Sequence, residues 1–433
     1  MRRRNALAAA NVAVLASVMF AVFPASAQGP SSQAEMTVDE LVARALADNP
    51  ELRAARREID AALGRLRQAG LRPNPMLELG GQKALSPDNN LTAMLTFPLD
   101  LNGRKEGRVA VAERELAMKR AQVGDRERRL RGEVRMKAGE VLAAQRNLRV
   151  TDGLLQVNRQ ALGIVQERVK QGAAPALEEN LALVEVNRLD ASQKLLASRV
   201  EVATLQLKAL AGMTPDAPLS LRGDLSATVA TADRGEAVAR ALAGRADLEA
   251  ARADAAASRA RILKEQAEGR WDASVNLGYM RQDFGFDLMG STAQGQTRPI
   301  QDVFHYFGGG VSIMLPVRNR NQGNIAAARA EADAAERRVE FATLTVRQEV
   351  EAAFVQYEAA RRGREIYERG VRDIARRNLE VVRQSYELGR GSLLDVVAEQ
   401  RRYIETENGY TDALKQVYDA AVEIERTVGA TGR

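Results

Sequence analysis

The 433-residue chain has no cysteine and one histidine, His305. Without thiols it can hold no disulfide, no thiolate metal centre and no cysteine that carries a lipid anchor. A lone imidazole makes a poor transition-metal site, so His305, in an aromatic, strand-like stretch, is assigned a structural or loop-facing role. No glycine-rich phosphate loop with its lysine is present either. An enzymatic reading therefore lacks its raw material, and no catalytic residue, resident metal or cofactor is expected. Beyond the first 27 residues nothing approaches the roughly 20 apolar positions of a spanning helix, so entry into a membrane has to be by strands. Formal charge is only +6 and falls to +3 once Arg2, Arg3 and Arg4 are discounted. The basic runs Arg126 to Arg131 and Arg361 to Arg364 have acids beside them and no interleaved aromatics. They read as solvated helix faces, with no nucleic-acid partner.

What is present begins with an export signature. Three arginines precede an apolar run from Ala6 to Phe23 and then Pro24-Ala25-Ser26-Ala27, the charged, apolar and small-residue order of a secretory signal. Residues 1–27 are read as a signal cut after Ala27. An uncleaved anchor is the alternative, disfavoured by the well-formed A-x-A site.

The mature remainder repeats itself. Glu40 to Arg56 and Glu236 to Arg252 are identical at 11 of 17 positions without a gap, 196 residues apart. After each copy come two alternating segments, the second ending at a proline (Phe97-Pro98, Leu315-Pro316), then a long helical run, a glycine-centred break and a return helix. So long a period means duplication of a domain-sized unit and not a solenoid. The division is residues 28–225 for the first repeat and 226–433 for the second, intertwined in one protomer.

Proline is absent from Arg104 to Gln171, where apolar residues step by seven through Val109, Leu116, Val123 and Leu130, then Val134, Val141, Leu148, Leu155, Leu162 and Val169. One insertion of four makes this a coiled-coil seam with a stutter. In the second half Val339, Val346, Ala353, Ala360, Tyr367, Ile374 and Val381 keep the same step throughout. Each run predicts a helix of about 68 residues, on the order of 100 Å at 1.5 Å per residue. Helices expected at about Val38 to Ala69 and Ala176 to Ala211, and at Gly235 to Glu268 and Ser392 to Val428, together match those lengths and can flank them end to end.

Four segments alternate as strands: Met76 to Ala84, Leu91 to Phe97, Asp272 to Met280 and Val303 to Leu315. Seven of the 18 aromatic residues fall between Trp271 and Phe307, as interfacial girdles of a membrane barrel do. Four strands cannot close a barrel, which needs about 8 at the least, and open edges are prohibitive in hydrocarbon. Either helices cover a soluble sheet, or several chains pool their strands; the export signal and aromatic cluster favour pooling, and three copies give 12.

This plan resembles the TolC-type outer-membrane efflux channels over essentially the whole mature chain. Arg72-Pro73-Asn74-Pro75, the run Leu315-Pro316-Val317-Arg318-Asn319-Arg320-Asn321-Gln322-Gly323-Asn324-Ile325 and Tyr386 to Val396 are similar to the branch serving cation and heavy-metal efflux. The resemblance implies a mainly α fold with a small β part: a homotrimer with a 12-stranded transmembrane β-barrel in outer-membrane lipid and a long periplasmic α-barrel of antiparallel coiled-coil helices. It implies a passive exit duct without firm metal coordination, because a conduit must release its cargo. It also implies a periplasmic adaptor and an inner-membrane transporter of the RND type as partners. Drug or polypeptide cargo, and a pore-free periplasmic scaffold, are the alternatives.

In that family the narrow tip closes by helix contacts and an acidic ring. Asp395 takes one ring position, while Ala398 stands where a second acid commonly follows. Tyr386 matches a latch tyrosine; the latch arginine is replaced by Gly391, with Arg390 beside it as the candidate. Convergent carboxylates at Asp395 would attract cations, but a position three after Ser392 equally suits a helix cap. The breaks Gly172-Ala173-Ala174-Pro175 and Gly389, Gly391, Ser392 and Leu393 form the expected adaptor-docking tip.

Overall fold

The computed structural model describes residues 35–85, 88–225 and 233–429; the export segment assigned to 1–27 lies outside them. Strand β1 (Glu35–Thr37) leads into α1 (Val38–Asp48), whose capping box pairs the Thr37 hydroxyl and backbone with Glu40. α2 (Pro50–Ala69) follows after a single residue. The one helix expected from Val38 to Ala69 is thus two, because Pro50 has no N–H to continue the ladder and sits where a new helix starts. Asn49 serves both sides of the break: its Oδ1 accepts from the Leu52 N–H at 2.9 Å, and its Nδ2 donates to the Leu210 carbonyl at 3.0 Å.

The chain continues through β2 (Met76–Lys83), β3 (Asn89–Pro98), α3 (Arg104–Lys170), α4 (Ala176–Leu210) and β4 (Ser220–Arg222), which pairs in parallel with β1. Then come α5 (Arg234–Gly244), α6 (Ala246–Glu268), β5 (Asp272–Ser291), β6 (Thr297–Met314), α7 (Gln322–Ile366), a π-helical turn (Tyr367–Val371), α8 (Arg372–Glu387) and α9 (Leu393–Val428). The order of elements in the second half follows the first. Arg245 splits α5 from α6 as Asn49 splits α1 from α2, 196 residues earlier. It also reaches the end of the return helix, its Nη1 donating to the Thr427 carbonyl at 3.4 Å. Arg245 is almost wholly buried and is held by Asp247 and Glu349 at 2.5 and 2.7 Å.

α3 is unbroken over 67 residues, roughly 100 Å at 1.5 Å per residue. Its seam packs as the heptads require: Leu116, Val123, Leu130, Val134, Val141 and Leu155 are buried. At Gly139 a Cβ would stand 2.7 Å from the Tyr418 ring, so only glycine lets α3 and α9 approach this closely. Around it lies the main core, in which Val134, Ala138 and Val141 meet Leu41, Leu207, Leu414 and Val422.

The second long run departs from the seven-residue step. In the π turn the Arg372 N–H reaches back to the Tyr367 carbonyl, five residues away, and Gly370 leaves helical geometry (φ 171°, ψ −31°). The turn holds one residue more than an α turn, which rotates everything after it. Ile374 and Val381, the expected seam positions, are 52% and 60% exposed, while Ala375 is buried and Val382 packs against the next cluster. α9 braces this joint. The Tyr410 ring has the Arg372 and Arg146 guanidinium groups 4.1 and 5.2 Å from its centroid. Its hydroxyl donates to Glu368 at 3.1 Å, and buried Glu407 accepts from both arginines. Burial, with Glu368 beside it, pushes the Tyr410 phenol above its ordinary value.

The other four strands form one antiparallel sheet in the order β2-β3-β5-β6. Register sets Leu77, Leu95 and Leu277 in one row, and Leu79, Ala93, Tyr279 and Phe307 in the next. Adjacent rows place Glu78, Met94, Gly278 and Gly308 together, then Gly80, Thr92, Met280 and Tyr306. One face is therefore apolar and the other mainly polar or small, the alternation of a sheet between lipid and water. β5 and β6 run beyond β2 and β3 as a two-stranded ribbon, longer than their alternation alone indicated. All four strands join the helices at the same end of the sheet.

Candidate functional site

At the opposite end of the long helices, α3 turns into α4 and α8 into α9. Both turns are built alike. After α3 the Gly172 N–H donates to the Val169 carbonyl at 2.9 Å and the Ala173 N–H to Arg168 at 2.7 Å. After α8 the Gly389 N–H donates to Tyr386 at 2.9 Å and the Arg390 N–H to Ser385 at 2.8 Å. This Schellman pattern needs a left-handed residue, and Gly172 and Gly389 supply it at φ +68° and +72°. Ala174 and Pro175 complete the first turn, with Pro175 preceding α4 without any side-chain cap. Gly391 and Ser392 complete the second.

Ser392 opens α9 through a reciprocal box with Asp395: the hydroxyl accepts from the Asp395 N–H at 3.2 Å, and the carboxylate accepts from the Ser392 N–H at 3.3 Å and hydroxyl at 2.7 Å. Asp395 is solvent-exposed, so within one chain its carboxylate caps a helix. Leu393 is buried with Val396 and Ala182, joining α9 to α4.

Tyr386 ties the two hairpins together. Its hydroxyl donates to Glu178 Oε2 at 2.9 Å across 208 residues of sequence, and the Arg168 guanidinium lies 6.0 Å from its ring centroid. Burial and the Glu178 carboxylate push its phenol above the ordinary value. Arg390, the candidate partner of Tyr386 in the sequence, is exposed and contributes its backbone N–H to the turn. The guanidinium at the ring comes instead from α3, because the hairpins meet side by side and bring Arg168 over α8. Deeper in, Glu185 is buried and accepts from Arg188 at 2.6 Å and Arg401 at 3.3 Å, a second bridge between α4 and α9. Neither Glu178 nor Glu185 was singled out by sequence; their place in the first turns after Pro175 was the available signal. Among the described residues no group of three or more His, Asp or Glu side chains is arranged to hold a metal ion, and no helix is long and apolar enough to cross a membrane.

The comparisons with known proteins agree with this architecture. The sequence pattern of the outer membrane efflux protein family matches residues 41–213 and 237–430. The cobalt-zinc-cadmium resistance protein CzcC of Cupriavidus metallidurans is 25% identical over 415 residues, 95% of this chain and 93% of that protein. Among solved structures, CusC superposes with a TM-score of 0.73 at 17% identity, covering 92% of both chains. A membrane protein from Pseudomonas aeruginosa superposes with a TM-score of 0.75 at 22% identity, covering 90% of this chain and 92% of that one. The apolar-faced sheet, the paired long helices and the family match lead to one assignment: the chain belongs to the outer membrane efflux protein family, and is an outer-membrane channel component reaching into the periplasm, not an enzyme.

Proposed function

We propose that three copies of this chain form the exit duct of a tripartite pump that expels heavy-metal cations. The observation carrying the reading is the open four-stranded sheet. Its free edges at β2 and β6 cannot face hydrocarbon unpaired, and four strands fall short of the roughly 8 of the smallest barrels. Three chains joined edge to edge make 12 strands, and their hairpins then enclose a tunnel about 100 Å long. Residues 1–27 serve as the export signal, and 28–225 and 226–433 are the two repeats of each protomer.

At the far end of the tunnel, Asp395 from each chain converges on the axis while keeping its bond to Ser392. Like carboxylates brought together attract cations, giving a gate sensitive to divalent ions. Tyr386, with Glu178 and Arg168, holds the hairpins in the closed arrangement; exposed Arg390 lies at the rim. The turns Gly172-Ala173-Ala174-Pro175 and Gly389-Arg390-Gly391-Ser392, with Leu393 behind them, receive a periplasmic adaptor that links the duct to an inner-membrane RND-type transporter. The likeness to CzcC supports cobalt, zinc or cadmium as cargo.

Deletion of the gene tests the cargo: growth should become sensitive to cobalt, zinc or cadmium and recover on complementation. Unchanged tolerance to all three metals would remove the metal reading. Persistence of the purified protein as a detergent-free monomer would remove the duct.

A further inference from the structure

The two tip hairpins do not close against each other completely. Between α3 on one side and α8 and α9 on the other lies a cleft of about 380 Å³, floored by Ala182 and Glu185 of α4. That size is typical of a small-molecule site. Its α3 wall carries an apolar strip beside Asn158 and Gln160, with Ile164 65% exposed and Val157 37% exposed. Half of the lining residues are polar, and two of those side chains stand out. Gln400 is 93% buried, yet its side-chain Oε1 has no hydrogen-bond partner. Arg168 lines the mouth beside Tyr386 and forms no ion pair among the described residues. Glu185, Arg383 and Glu387 also line the cleft, but each is already paired.

We infer that this cleft is a binding site for a small amphipathic organic anion: an apolar body, an anionic group for Arg168 at one end, and an O–H or N–H donor for Gln400 at the other. Leu393 and Gln400, the two ends of the α9 wall, lie two turns apart, roughly 10 Å at 1.5 Å per residue, a span that a chain of about eight to ten methylene groups covers. Such a molecule supplies the donor that the buried amide oxygen lacks and covers Ile164 and Val157. It wedges between α3 and α8–α9, beside the Tyr386–Glu178 bond that ties α8 to α4. The site is independent of the export reading, since occupancy can be read without transport.

The absence of cysteine makes the test direct. In the full-length protein purified in detergent, Ile164→Cys is the only thiol, and its rate of maleimide labelling reports access to the cleft. The probe is 10-hydroxydecanoate, compared with decanoate, which lacks the donor, and 1,10-decanediol, which lacks the anion. 10-Hydroxydecanoate is expected to slow labelling at concentrations about tenfold lower than either comparison compound, the usual order for one buried polar partner. Gln400→Leu should erase its advantage over decanoate, and Arg168→Leu its advantage over the diol, each leaving the other preference in place. Equal protection by all three compounds would overturn the assignment. So would preferences that survive both substitutions, or a thiol that maleimide cannot reach before any probe is added.

Discussion

The two halves of the chain share a plan and differ in stiffness. α3 is one rod, whereas its counterpart is jointed at the π turn between α7 and α8. The same contrast recurs at the split helices. Asn49 joins α1 to α2 and reaches α4 with a neutral amide; Arg245, at the equivalent place, commits a buried guanidinium to two carboxylates and the end of α9. At the tips the helices end identically, but α4 starts uncapped at Pro175 and α9 starts in the Ser392–Asp395 box. The two halves thus share what sets length and topology. Local chemistry diverged where one half is braced and the other bends.

The largest expected asymmetry is at the split helices. Arg245→Ala leaves Asp247 and Glu349 without their buried partner and should cost about 3–5 kcal/mol. Asn49→Ala loses a cap and one carbonyl contact and should cost about 1–2 kcal/mol. Urea or thermal unfolding of the purified protein measures both. Equal losses would mean the ionic junction in the second half is no stronger a brace than the amide in the first.

A one-residue deletion separates rod from joint. Removing Gly370 takes out the extra residue of the π turn while leaving Ala375 and Val382 in phase with Tyr367, so stability should change by less than about 1 kcal/mol. Removing Gly153, which has open space around it in α3, rotates Leu155 and the rest of that seam by about 100° and should cost about 2–3 kcal/mol for Leu155 alone. Similar losses from the two deletions would contradict the phase shift described for α8.

The joint shows where sequence reading stops. Seven-residue steps located every long helix, because burying a stripe along a rod leaves a signal over many turns. After Tyr367, however, both candidate phases are apolar: Ile374 and Val381 in one, Ala375 and Val382 in the other. A single glycine among arginines does not choose between them; packing against α9 does. Alternation similarly found the strands but placed the β5–β6 ends short, since the ribbon beyond the paired sheet has no second neighbour to impose a pattern. At the tip, Tyr386 and the turn glycines were legible because they sit at the break itself. Glu178 and Arg168 come from the other hairpin, and nothing local links them to Tyr386. The tiny β1–β4 pair was invisible for the same reason.

Capping gives a smaller difference between the tips. Asp395→Ala removes the reciprocal bond to Ser392 and should destabilise by about 1 kcal/mol. Pro175 offers α4 no equivalent to lose. If Asp395 also forms the gate, the same substitution should weaken divalent-cation block of single-channel conductance in planar bilayers. A stability loss with unchanged block would leave the residue as a cap alone.

The last contrast lies where strands turn into helices. In the first half Asp100, with its side chain only 4% exposed, binds Arg108 at 2.7 Å. The hydrogen bond from Arg108 outweighs burial and holds the Asp100 carboxyl below its usual range. The corresponding corner after β6 has Arg318 and no such acid. A group whose folded pKa is depressed stabilises fully above its unfolded value, about 3.9, and loses that contribution as pH falls through the lower folded value. Acidification from pH 6 to pH 3 should therefore cost the parent more stability than it costs Asp100→Asn, by on the order of 0.5–1 kcal/mol for a partly exposed pair. Other carboxylates titrate in both proteins and cancel in that difference. Arg318→Ala, which removes no acid bridge, should leave the pH profile parallel to the parent's; a profile that instead followed Asp100→Asn would show that acid sensitivity is not lodged in the first corner.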